Sequence, residues 1–221
     1  MIFPDALQIT DYPPEEFRTD DSSETDLILR RIRMYARRRV IWLQQLWATE
    51  ESHTSQAAIT HSAVESYLSN RDNRTDEAQY FRQNQEVRQL NEAIQSLEHE
   101  LGQQRSTHVE RLVSIFNLSE FEADMVQTCF AEAVDSQFSK IFAYLNDHAG
   151  YPYVTIQLVQ RLFGYSPVTA QTDLAQSLTW GILYKIKTNP GEPELYELNE
   201  DIVRWLLGSE DIIPALSHAV I

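Results

Sequence analysis

Apolar positions recur with two different periods along this chain, and the change of period divides it. From Glu24 to about Glu50, the residues Ile28, Ile32, Tyr35, Trp42, Leu43 and Leu46 share one face at 3.6-residue spacing, which predicts an amphipathic helix. Residues 51–75 are polar and loop-like, with a short helix expected around Ala63–Leu68. Asp76–Leu101 then reads as one long helix. Within it Val87, Leu90, Ile94, Leu97 and Leu101 alternate spacings of three and four, a heptad seam. A seam this short suits intramolecular packing, so the second helix is expected to fold back on the first as an antiparallel hairpin. Gly102 is expected to interrupt the helix before His108–Phe116.

Caps and breakers organise the second half. In "LSEFEADMVQTCFAEAV", Ser119 and Glu122 have the spacing of a capping box, with Leu118 and Ala123 as a hydrophobic staple. Asp135 is placed to cap the next helix, Ser136–Asn146. Gly150 and Pro152 break the chain. Thr155 is placed to start a helix through Phe163, which Gly164 ends, and Ser166 to cap another over Pro167–Ser177. The period then falls to two. "GILYKIK" and "ELYEL" flank the turn "TNPGEP", a β-hairpin, and "NEDIVRWLLG" closes the pattern as a helix with Gly208 behind it.

Three helices, a hairpin and a closing helix make a winged-helix pattern. The expected fold class is therefore mainly α: a helical hairpin or coiled-coil region, then a helical winged-helix-like domain with one small β-hairpin. The expected organisation is an acidic N-terminal arm at 1–23, a helical hairpin region at 24–116, a winged-helix-like domain at 117–213, and the start of a linker at 214–221.

Charge changes what that fold would imply. The 221 residues carry 18 Lys+Arg against 33 Asp+Glu, net −15, and the acidity is spread over both halves. A phosphate backbone would be repelled by such a surface unless one patch dominated. The run "RRIRMYARRRV", residues 30–40, has six Arg in eleven positions and is the one place such a patch could form. On the helical wheel Arg30, Arg33 and Arg37 lie opposite the apolar face, Arg31 and Arg38 border it, and Arg39 falls inside it. The run is thus either a solvated helix face with salt bridges, a docking face for an acidic partner, or a nucleic-acid contact. Arg30, Arg33, Arg37 and Arg38 are the candidate partner-binding residues. Arg39 should be at least half buried and paired with a carboxylate or carbonyl. The expected recognition helix, "SPVTAQTDLAQS", has no Lys or Arg, and the wing sets Glu192 and Glu194 beside Lys185 and Lys187. A protein-interaction winged helix therefore fits better than a DNA reader, and no nucleic acid is expected as partner.

Recognisable catalytic chemistry is absent. There is no G-x-x-x-x-G-K-[ST] and no G-x-G-x-x-G. The six His stand apart, without metal-ligand spacing, so no metal is expected. Cys129, the single cysteine, sits in an apolar helix and reads as a small core residue rather than a nucleophile. No catalytic residue and no cofactor is assigned to this chain. The N-terminus does not read as a signal peptide, and no window is apolar enough for a membrane span, so a cytoplasmic protein is expected.

The succession from "LSEFEADMVQTCFAEAVDSQFSKIFAYLNDHAGYPYVTIQLVQRLF" through "SLTWGILYKI" to "LNEDIVRWLLG" resembles the region preceding the ATPase module in a group of bacterial AAA+ ATPases. These ATPases are encoded with extracellular contractile injection systems, the phage-tail-like particles that carry toxins. The residues carrying the resemblance are Leu118, Ser119, Phe121 and Glu122; Ala131 and Glu132; Tyr144, Leu145 and Asp147; Pro152, Val154 and Thr155; Leu158 and Leu162; Leu183; and Leu206, Leu207 and Gly208. Pro152 is separated from Thr155 by Tyr153 and Val154, where the family is tighter. The resemblance covers residues 76–213, most strongly 112–208. It implies a variant winged-helix domain, with an AAA+ motor that uses ATP and Mg beyond the Leu-Leu-Gly helix and works as a hexamer. This chain would then be the N-terminal region that selects toxin or effector cargo, or docks the ATPase on injection-particle proteins. The alternatives are a DNA-binding winged-helix regulator and a purely structural oligomerisation arm.

Overall fold

The computed structural model describes residues 23–48, 68, 72–104, 107–146, 152–166 and 174–209. The acidic arm, the segment around Ala63–Leu68 up to residue 67, most of the expected helix Pro167–Ser177, and the linker at 214–221 lie outside the described residues.

The first helix, α1 (Glu24–Ala48), forms where the apolar period places it, and Ser23 accepts from the Asp26 N–H at its start. The expected second helix is two. α2 (Arg74–Gln83) and α3 (Gln85–Gln103) are separated at Asn84, which is extended at φ −77° and ψ 124°. Its side-chain oxygen accepts from the Val87 N–H, its backbone N–H donates to Tyr80, and its Nδ2 donates to the Tyr80 hydroxyl at 2.8 Å. Asn is among the best N-caps, and here the cap overrides the continuing seam. Gly102, in contrast, stays inside α3. α3 runs antiparallel to α1, because Arg31 reaches Glu98, Arg38 reaches Asn91 and Arg37 reaches Glu86. Val87, Ile94 and Leu97 of the seam are buried.

α4 (His108–Phe116) is capped by Thr107 and ends on Asn117 at φ 49°, a residue type that tolerates the left-handed region. α5 (Glu120–Val134) begins with the expected capping box, both halves of which are formed. α6 (Gln137–Leu145) follows, with the Asp135 carboxylate accepting from the Gln137 N–H at 2.9 Å. α7 (Ile156–Phe163) is capped by Thr155 and ends on Gly164 at φ 81°, where an L side chain would be strained. Thr155 as the observed N-cap fixes the register of the Pro152–Thr155 segment. α8 (Ala175–Thr179) is short. β2 (Leu183–Ile186) and β3 (Leu195–Leu198) form the expected antiparallel hairpin, and α9 (Glu200–Leu206) closes the pattern.

One element is additional to the expected hairpin. β1 (Val154–Thr155) pairs antiparallel with β3, Val154 opposite Tyr196, giving a three-stranded sheet in the order β1-β3-β2. Two residues are too short to show an alternating period, so the sequence carries no strand signal there. The observed class is nonetheless the expected one: mainly helical, with a small antiparallel sheet in a winged-helix arrangement.

One core runs through all of this. Ile28, Ile32, Ala36 and Leu43 of α1 belong to the same buried cluster as Phe121, Met125 and Phe130 of α5, Phe138 and Phe142 of α6, and Leu158 and Leu162 of α7. α1 therefore packs across the boundary expected at residues 116 and 117. Fully burying one large apolar side chain is worth about 1.5–3 kcal/mol, so α1 contributes substantially to the winged-helix core. Ser119→Ala removes one half of the capping box and should lower stability by about 1 kcal/mol, read as a reduced urea midpoint with an unchanged m value.

Candidate functional site

The arginine run lies in the middle of α1, where Arg31 and Arg39 are buried, Arg30, Arg37 and Arg38 are half-buried and Arg33 is exposed. Arg31, expected at the border, is 8% exposed. Its Nε donates to Glu98 of α3 at 2.7 Å, and its NH1 to Asp124 of α5 at 2.7 Å and to Gln127 at 3.2 Å. The guanidinium also lies over the rings of Phe163 and Tyr35, 4.7 and 5.3 Å from their centroids. Burial opposes its charge, but Asp124 and Glu98 more than compensate and hold it protonated beyond the usual arginine range. The other acceptor oxygen of Asp124 takes the Tyr165 hydroxyl at 2.7 Å, and Glu98 takes the Tyr35 hydroxyl at 3.0 Å. Burial and Glu98 push the Tyr35 hydroxyl up to about 12.

Arg39 is 3% exposed, as its place in the apolar stripe requires. It donates to Glu77 of α2 at 2.9 Å and to Asp72, which also accepts from the Trp42 indole at 2.9 Å. Its Nε has no hydrogen-bond partner among the described residues. Burial alone would raise the Asp72 carboxyl, but the hydrogen bond and charge of Arg39, the Trp42 N–H and the charge of Arg161 hold it below the usual carboxylate range.

The four candidate partner-binding arginines are not equivalent. Arg33 pairs with Asp135 and lies over the Phe138 ring at 5.3 Å. Arg37 pairs with Glu86 at 3.1 Å on the open face of the hairpin. Arg38 donates to Asn91 at 3.1 Å and to the Leu162 carbonyl at 2.9 Å, where a cation complements the C-terminal end of α7. It also lies over the Tyr35 and Phe81 rings, and burial lowers its pKa. Arg30 has no hydrogen-bond or ion-pair partner among the described residues. The structure thus brings Arg31 and Arg38 together around Tyr35, and leaves Arg30 and Arg37 apart from them.

Two further carboxylates were hidden in the sequence by their helical setting. Glu122 is 2% exposed and does more than complete its capping box, since it accepts from both the backbone N–H and the hydroxyl of Ser177 at 2.8 and 3.0 Å, tying α8 to α5. Glu24 accepts from the backbone N–H groups of His108 and Val109, both at 2.8 Å, and so caps α4 from the start of α1. The signal that points to Asp124 is an acid, beside Glu122, within the apolar stretch "FEADMVQTC", a position that demands a cationic or hydrogen-bonding partner.

The wing pairs its own charges. Lys185 bridges to Glu194, which also accepts from the Tyr196 hydroxyl at 2.8 Å; these two donors hold the Glu194 carboxyl below its usual range. Cys129 is 1% exposed, and burial pushes its thiol upward, away from nucleophilic character. Among the described residues no group of three or more His, Cys, Asp or Glu is placed to hold a metal ion. No helix among them is long and apolar enough to cross a membrane.

Arg31→Met leaves Asp124 buried without its cation and should cost about 3–5 kcal/mol, with Asp124→Asn in the same chain returning part of the loss in urea unfolding. Asp72→Asn gives a pH signature. A carboxyl depressed in the fold contributes stability above its unfolded pKa of about 4 and loses it as pH falls through the depressed value. The difference in urea midpoint between wild type and Asp72→Asn should therefore be larger at neutral pH than near pH 3.

Compared with known families, residues 22–176 match a family model described as "Winged helix domain, variant". No curated protein and no solved structure matches the chain.

Proposed function

The chain belongs to the family of variant winged helix domains, and from that premise we propose that it is a non-catalytic protein-binding module. The observation that carries this reading is that five arginines of the α1 run are engaged within the chain. Among the described residues, Arg31, Arg33, Arg37, Arg38 and Arg39 all bond to groups of this same chain. The Lys185 ammonium in the wing is neutralised by Glu194. α8, with the sequence AQSLT, has no cation at all. A winged helix that reads DNA needs free donors for phosphates on its recognition helix and wing, and a net charge of −15 opposes the approach of any duplex.

The finer reading follows the resemblance of residues 112–208. The chain serves a AAA+ ATPase of a bacterial contractile injection system in the cytoplasm, and binds toxin cargo or particle proteins for loading or assembly. ATP and Mg belong to the motor module of that hexameric ATPase, and this region supplies selection and docking. The buried side chains at the matching positions, among them Phe121, Glu122, Leu158 and Leu162, support a shared scaffold.

Purified chain titrated with purified cargo and particle proteins should show saturable binding to at least one of them. A labelled duplex of about 20 base pairs should not shift at about 50 mM salt. Duplex binding that weakens steeply with salt would overturn the protein-binding reading. Failure of every cargo and particle protein to bind would remove the injection-system reading.

A further inference from the structure

The α8–β2 turn carries exposed apolar side chains with carboxylates beside them. Leu178 and Trp180 at the end of α8 and Tyr184 on β2 are 38%, 38% and 47% exposed. They sit on a rigid base. The Trp180 ring packs on Phe116 of α4 at 5.7 Å between centroids. Gly181, at φ 64°, makes the turn from α8 into β2, and a Cβ there would meet the Tyr184 hydroxyl at 3.7 Å. Asn199 donates to the Gly181 carbonyl and to the Tyr184 hydroxyl, both at 2.9 Å, so the turn and the ring are held together. Carboxylates surround them. Glu197 stands directly across the ladder from Tyr184, on the same face of the sheet, and is exposed. Glu200 follows Asn199 at the start of α9, where Arg204 reaches it at 3.4 Å.

We infer that this α8–β2 surface is the docking site, resting on the protein-binding reading above, and that it takes a basic segment of a partner protein with an apolar anchor residue. The rings on a pre-ordered turn offer the contact area, with little side-chain entropy left to lose on binding. The rim of Glu197 and Glu200 selects Lys or Arg on the partner and rejects acidic segments. It also disfavours a second copy of this chain, because a two-fold contact would set the same carboxylates against each other.

The probe is a fluorescent peptide of about 16 residues in which Lys alternates with Leu, alongside the same peptide with Glu for Lys. Anisotropy should show binding of the Lys peptide alone. Trp180→Ala and Tyr184→Ala, which leave the net charge unchanged, should each weaken it about tenfold, and Glu197→Lys should do the same. Charge reversal at Glu92 or Glu100 on α3 should change it less than about twofold. Equal losses from every charge reversal, with no loss from Trp180→Ala or Tyr184→Ala, would mean diffuse attraction and would overturn the site. So would preference for the Glu peptide, or concentration-dependent dimerisation that masks Trp180. Circular dichroism and Tm of each variant separate lost binding from lost folding, and the exposed Glu197→Lys keeps the test open if Trp180→Ala unfolds. Particle or cargo proteins that bind wild type and Trp180→Ala/Tyr184→Ala equally well would overturn the site while leaving the protein-binding reading standing.

Discussion

A single guanidinium, that of Arg31, joins three helices that are far apart in sequence. It is held between Glu98 of α3 and Asp124 of α5 while lying over Phe163 at the end of α7. Burying that charge is unfavourable unless every donor finds an acceptor, so α1, α3 and α5 must meet in one register or the pair is lost. The apolar cluster supplies most of the favourable free energy, because large side chains such as Phe121, Phe130, Phe138 and Phe142 are fully buried there. The arginines supply direction. Buried ion pairs contribute little net stability over apolar replacements of the same shape, but they penalise misaligned packings heavily. We read the run as the registry device of this fold: Arg31, Arg37 and Arg38 fix α1 against α3, Arg31 also against α5, Arg38 also against the end of α7, and Arg39 against α2.

Much of this was legible in the sequence, and the parts that were not share a cause. Capping chemistry is local, so Ser119 with Glu122, Thr155, Gly164 and the hairpin turn could be placed from a few neighbouring residues. Arg39 was legible because it interrupts an otherwise apolar stripe on one wheel. Arg31 was harder. A single-helix wheel puts it at the border of the apolar face, yet α1 is flanked by α3 on one side and α5 on the other, and a border between two packed neighbours is interior. The break at Asn84 escaped because the heptad seam that begins at Val87 masks the cap that starts it. β1 escaped because it exists only through pairing with β3, some forty residues away.

The same constraint shapes what the surface has left to offer. Arginines used for internal registry are not free to meet a partner, and the wing neutralises one of its two lysines, Lys185, through Glu194. Exposed aromatic rings remain on the α8–β2 turn, surrounded by carboxylates. The fold alone does not fix the partner, and the protein segment proposed above rests on the site.

Because one network ties α1 to the winged-helix core, the two should open together. Native-state hydrogen exchange of the full chain measures this directly. The amides of Ile32 and Ala36 in α1 and of Met125 and Phe130 in α5 should share one opening free energy and one denaturant dependence, that of global unfolding. Exchange of the α1 amides through a separate opening of lower free energy, with α5 still protected, would show that α1 only leans on a core that stands without it, and would contradict this account.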